Sequence, residues 1–139
     1  MTKAEIIEYI PQRPPFVMVD EVVQADDKLY KTTFTVADEN LFVVNGLFTE
    51  PGLVENMAQT AAAGTGYKYK QVGETVPVGF IGALKNLKIH ELPSTGDKLE
   101  TEILILHKVL NVYVVEAKVE VAGKKIATCE MKIFEQSEK

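Results

Sequence analysis

LVENMAQTAAAGTGYKYK, residues 53–70, is the stretch whose reading decides how this chain folds. It is the only long helix candidate: no proline interrupts it, and Pro51 stands just before its start, where proline is favoured. Leu53, Val54, Met57, Ala58 and Ala61 recur at helical spacing and form one apolar stripe. Glu55 and Gln59 lie four apart and share a different face. Residues 61–66, AAAGTG, carry almost no side-chain bulk. Neighbouring backbone can approach such a helix closely, so the pattern predicts one that is enclosed.

C-terminal to this helix the chain reads as β. Residues 78–92, 98–108, 112–122 and 124–135 are strand candidates, separated by Pro93-Ser94-Thr95-Gly96-Asp97, by residues 109–111 and by the turn at Gly123. Alternation is clear in the last two: Tyr113, Val115, Ala117, Val119 and Val121 oppose Glu116, Lys118 and Glu120, and Ala127, Cys129, Met131 and Ile133 oppose Thr128, Glu130 and Lys132. On the N-terminal side, residues 16–24 and 28–36 read as a hairpin turned by Ala25-Asp26-Asp27, and residues 37–52 as loop. A short helix over residues 3–9, with Thr2 as N-cap and Pro11 as its stop, opens the chain. The fold class this order predicts is α+β: one domain, residues 1–139, with an antiparallel sheet wrapped around a single central helix.

Composition narrows the chemistry. The 139 residues are 46% hydrophobic and 25% charged. A chain of this size buries roughly 68–70% of its unfolded surface, so no metal or disulfide is needed for stability. One cysteine excludes an intramolecular disulfide, and one cysteine with two histidines excludes the common zinc sites. A net charge of −5 leaves no basic excess for nucleic acid. The first residues lack the apolar core of a signal peptide, and no apolar run is long enough to span a bilayer, so a cytoplasmic chain is expected.

Several motifs together resemble one family. Ile10-Pro11-Gln12-Arg13-Pro14-Pro15-Phe16 followed by Val19-Asp20, Glu55-Asn56-Met57-Ala58-Gln59, Phe80-Ile81-Gly82, and Pro93-x-x-Gly96-Asp97-x-Leu99 occur in the order found in hotdog-fold β-hydroxyacyl-ACP dehydratases. The resemblance covers residues 10–135. It implies a hotdog fold, an acyl thioester substrate on acyl carrier protein or coenzyme A, no cofactor and no metal. It also implies a homodimer, or a heterodimer with a related hotdog chain. Glu55 stands at the position of the family's catalytic glutamate.

The family's dyad also needs a histidine, in a His-Phe-Pro-Gly loop before the helix. Here that loop is Asn45-Gly46-Leu47-Phe48-Thr49-Glu50-Pro51-Gly52. In this respect the chain is similar to a divergent branch found beside aryl-polyene and related polyketide pathways, whose members act with a second dehydratase subunit. His90, on a polar strand face, and His107, at a strand rim, stand elsewhere. Asn45, Thr49 or Glu50 would occupy the missing imidazole's space, and only Glu50 among them is a base.

Elimination of water from a 3-hydroxyacyl thioester needs a base, an acid and donors for the enolate-like oxygen. Read alone, Glu55 is equally a first-turn acid of an ordinary helix; the resemblance makes it the catalytic candidate. Gln59 either orients it or bonds loop backbone. Gly82 offers a backbone N–H to the thioester or simply allows tight packing. The helix-start N–H groups near Leu53 are a second oxyanion candidate. Cys129 falls on an apolar strand face without an adjacent base and reads as packing. Lys68, Lys70, Lys85 and Lys88 form a basic rim for an acidic carrier or serve only solubility. Three functions remain: a dehydratase using Glu55, a hotdog thioesterase using the same single carboxylate, and a non-catalytic subunit of a dehydratase heterodimer.

Overall fold

Residues 3–136 are described by a computed structural model. Thr2, the expected helix cap, and residues 137–139 of the expected frayed tail lie outside them. The elements are α1 (Lys3–Ile6), β1 (Glu21–Ala25), β2 (Leu29–Thr35), β3 (Val43–Val44), β4 (Leu47–Phe48), α2 (Glu50–Gln71), β5 (Val78–Ile89), β6 (Lys98–Val109), β7 (Val112–Val121) and β8 (Lys124–Gln136). Six strands form one antiparallel sheet in the order β1-β2-β6-β7-β8-β5. Helix α2 packs against β1, β2 and β6. This is the predicted arrangement, a sheet around one long helix.

Local chemistry explains where boundaries differ from those expected. Helix α2 starts at Glu50, three residues before Leu53. Pro51 sits inside the first turn, where its missing N–H removes no helical bond. Glu55 therefore lies in the second turn, not the first. The expected strand 16–24 forms only from Glu21, although Asp20 already donates to the Thr33 carbonyl at 2.8 Å. The Phe16 carbonyl and both backbone groups of Met18 bond to side chains of α2 instead of to a strand. Within the expected loop, Asn45-Gly46 joins β3 and β4 with φ of 52° and 77°, the left-handed pair of a type I′ hairpin. Strand β5 stops at Ile89, short of Leu92 and Pro93.

The apolar stripe of α2 is divided between two surroundings. Leu53, Met57 and Ala61 enter the main core with Phe48, Leu99, Ile103 and Met131. Val54 and Ala58 line a cavity beside the helix and remain partly accessible, Val54 also packing against the rim of that core. The small residues work as their size suggests. A Cβ at Gly64 would strike the Tyr30 ring, and one at Gly66 would strike the Tyr9 carbonyl oxygen. Enclosure of the helix thus depends on the two glycines.

A buried polar belt crosses the closed side of α2. Asn56 Nδ2 donates to the Met18 carbonyl at 2.8 Å, and its Oδ1 accepts from Thr101 Oγ1 at 2.6 Å. The Thr60 and Thr32 hydroxyls meet at 2.8 Å. Each of these polar side chains has a partner, as burial requires.

Candidate active site

The start of α2 leaves no open oxyanion donor at Leu53. The Thr49 carbonyl accepts the N–H groups of Gly52 and Leu53 at 2.9 and 3.2 Å. The Leu53 side chain is fully buried in the core. Its assignment to substrate binding is corrected: Leu53 is a packing residue whose N–H is already bonded. The Thr49 hydroxyl donates to the Phe42 carbonyl at 2.6 Å, which ties the β3–β4 hairpin to the helix start. Asn45 is exposed at the tip of that hairpin, and Glu50 is exposed at the helix end.

Gln59 is only 1% exposed and engaged at both ends of its amide. Its Oε1 accepts the Met18 N–H at 2.6 Å; its Nε2 donates to the Phe16 carbonyl at 2.9 Å and to Glu55 Oε2 at 2.8 Å. Both structural readings of Gln59 are therefore realised together. It anchors residues 16–18 and orients Glu55, leaving no free N–H for a substrate.

Beside α2 lies a cavity of about 580 Å³. Val54, Glu55, Ala58, Ala61, Ala62 and Thr65 form its helical wall. Residues 7–13, the first half of β5, and Ile133 and Glu135 of β8 complete it. The volume lies within the usual range for small-molecule sites. Glu55 is the one sequence-predicted candidate on this lining; Gln59 stands behind it, and Leu53, Asn45, Thr49 and Gly82 are outside it. At Gly82 a Cβ would enter the Phe134 ring, so the glycine admits that ring, the packing alternative raised above.

His90 and His107 are exposed and outside the cavity, so neither supplies an imidazole to Glu55 within this chain. Burial pushes the Cys129 thiol up to about 11, consistent with a packing role. The expected basic rim loses one member: Lys68 pairs with Asp27 at 2.9 Å and lies over the Tyr30 ring. Among the described residues there is no cluster suited to a metal ion, and no helix is long and apolar enough to cross a membrane.

Two cavity residues escaped the sequence reading. Gln12 Oε1 and Glu135 Oε2 are buried without a hydrogen-bond partner. Gln12 lies inside the N-terminal motif Ile10–Phe16, which could have drawn attention to it. Glu135 left no such signal.

The family model of the ApeP-like dehydratases, described as ApeP dehydratase, matches residues 4–139. The chain belongs to this family. A FabZ 3-hydroxyacyl-acyl-carrier-protein dehydratase from Lactococcus lactis is 30% identical over 137 residues, covering 94% of this chain and 87% of its own. Among solved structures, the dehydratase heterocomplex ApeI:P from Xenorhabdus doucetiae superposes with a TM-score of 0.86 at 16% identity, covering 96% of this chain and 91% of that one. A hypothetical thioesterase from Streptococcus pneumoniae, solved with coenzyme A, gives 0.69 at 13% identity, with 86% and 87% covered. These neighbours share the hotdog fold. As an ApeP-like dehydratase, the chain is a member of a lyase family that eliminates water.

Proposed function

We propose that this ApeP-like chain dehydrates 3-hydroxyacyl groups carried on acyl carrier protein, as one half of a two-chain assembly. The observation that carries the reading is Glu55: a carboxylate held by Gln59 on the wall of an acyl-sized cavity. In the reaction the Cα–H and Cβ–O bonds break, Cα=Cβ forms and water leaves. A base takes the α-proton, and an acid protonates the departing hydroxyl. Glu55 performs one of these transfers, and an imidazole from the second chain performs the other.

The edge strand supports a second chain at this place. Among the described residues, strand β5 is unpaired on one side, and it exposes Val78, Phe80, Ile81, Leu84 and Leu87. A long apolar edge of this kind is a template for pairing with another chain. Val78, Phe80, Ile81 and Leu84 also line the cavity, so a chain pairing on β5 borders the space beside Glu55. The ApeI:P structure is itself named a dehydratase heterocomplex.

The test is mass spectrometry of 3-hydroxyacyl-ACP incubated with the chain alone and with a histidine-bearing hotdog relative. Loss of one water only in the combined reaction is the expected result. An unchanged substrate in both reactions overturns the reading. A thioesterase is the second reading, favoured by a helix carboxylate on the cavity wall without an imidazole from its own chain. It requires release of free thiol from acyl-CoA or acyl-ACP.

A further inference from the structure

We infer that residues 7–15 form a strap that swings off α2 to admit and discharge the acyl chain. This role rests on the acyl-thioester reading of the cavity and adds how the site is reached.

The walls of the cavity are not held alike. Helix α2 is set into the core, and β5 and β8 belong to the six-stranded sheet. Residues 7–13 supply the remaining wall. Here the Glu8 and Tyr9 N–H groups donate to the Glu5 and Ile6 carbonyls, each at 3.0 Å, and the Phe16 N–H donates to the Arg13 carbonyl at 2.9 Å. Arg13 Nη1 donates to the Ile10 and Gln12 carbonyls at 2.9 and 2.8 Å. Among the described residues, no hydrogen bond joins residues 7–15 to α2 or to the sheet. The strap carries its own hydrogen bonds with it when it moves.

Each end of the strap is fixed. Ile6 is buried before it, and after it the Phe16 carbonyl and Met18 are bonded to Gln59 and Asn56. Between those ends the attachment is apolar. Ile10 is buried with Ile6, Val19, Val22 and Ala63 in a cluster separate from the main core. The Tyr9 and Tyr67 rings lie 5.6 Å apart, and the Tyr9 carbonyl rests against Gly66, where a Cβ would collide with it. A segment with few buried apolar contacts and only local hydrogen bonds opens at a lower free energy than the core.

Gln12 supplies an opposing force. With the strap down, its Oε1 is buried without a partner, which favours the open state, where water reaches it. Ile10 and the tyrosine pair hold the strap down, and Gln12 pushes it up. Such a balance makes a two-state element of the wall. In the two-chain assembly the second chain borders the β5 side, so the strap is the wall left free to move.

Two measurements test the strap. In Ile10→Cys the introduced thiol is buried until the strap lifts, and native Cys129 reports opening of the main core in the same molecule. Alkylation at position 10 is expected to be at least about tenfold faster than at Cys129. Adding Gly66→Ala, which props the strap up, should raise the rate at position 10 by about tenfold or more and leave Cys129 unchanged. Surface plasmon resonance of the full chain with dodecanoyl-pantetheine reads the passage itself. Gln12→Leu removes the unpaired oxygen, so kon and koff should both fall on the order of tenfold. Equal alkylation of the two thiols, acceleration of both by Gly66→Ala, or an unchanged kon in Gln12→Leu overturns the strap while leaving the acyl-thioester reading intact. Failure of the unaltered chain to bind the probe overturns both.

Discussion

The two sides of α2 are built from similar residues and do opposite things. On the closed side Asn56, Gln59 and Thr60 are buried, and their polar groups are bonded to Met18, Phe16, Thr32 and Thr101. On the open side Glu55 and Thr65 stand among alanines on the wall of the cavity. Polarity alone does not distinguish a structural helix face from a chemical one; what meets that face does. A polar residue with complete partners holds the chain together, and one bordering empty volume is available to a ligand.

Substitutions on the two sides should therefore separate activity from stability. Glu55→Gln keeps the shape of the side chain but removes its acid–base capacity. Dehydration by the two-chain assembly should fall by about 10²- to 10⁴-fold, with the unfolding midpoint nearly unchanged. Met57, two residues on, is fully buried in the core. Met57→Ala should cost about 2–5 kcal/mol in urea unfolding. Ala58→Leu, which fills the cavity, should abolish turnover of long acyl chains before short ones. If Glu55→Gln destabilised the fold as much as Met57→Ala, the division between the two sides would be wrong.

Gln59 joins the two sides and so tests the boundary itself. Gln59→Leu leaves the Met18 N–H and Phe16 carbonyl without their partners and frees Glu55 to turn. Unfolding measurements should show a loss of about 1–3 kcal/mol, the usual cost of unsatisfied buried polar groups. Turnover should also fall, because the carboxylate is less well placed. A change in stability with kcat and KM both intact would mean that Gln59 does not position Glu55.

The sequence revealed the sheet more readily than this division. Strands β6, β7 and β8 end within one residue of the expected positions; for β7 and β8 this is because period-two patterning is local and one face is buried. Residues 16–20 misled because their β-like composition carries no trace of where their hydrogen bonds go. Those of the Phe16 carbonyl and of the Met18 N–H and carbonyl go to side chains of Asn56 and Gln59, about 40 positions away. The same distance hid the belt: Thr60 and Thr101 are unremarkable until the fold supplies Thr32 and Asn56. Glu55 was found through a motif, whereas Gln12 and Glu135 share the cavity with it only because three remote segments converge there.

Cys129 offers the gentlest probe of the closed side. Its thiol donates to Met57 Sδ at 3.8 Å and is almost wholly buried. Burial, and then the charge of Glu130, raises it from 9.0 to about 11. The unfolded chain therefore loses this proton first, so the folded state binds more protons between about pH 9 and 11. Stability should be insensitive to this group below about pH 8, decline across that window, and change no further above it. Cys129→Ala should remove this component of the alkaline decline. At pH 8 the thiolate fraction should be about 100-fold lower in the folded chain than in the unfolded one. Alkylation of the native protein should then be slower by at least that factor, and Met57→Ala should accelerate it by loosening the closed side. Glu55→Gln should not, since nothing on the open side covers the thiol.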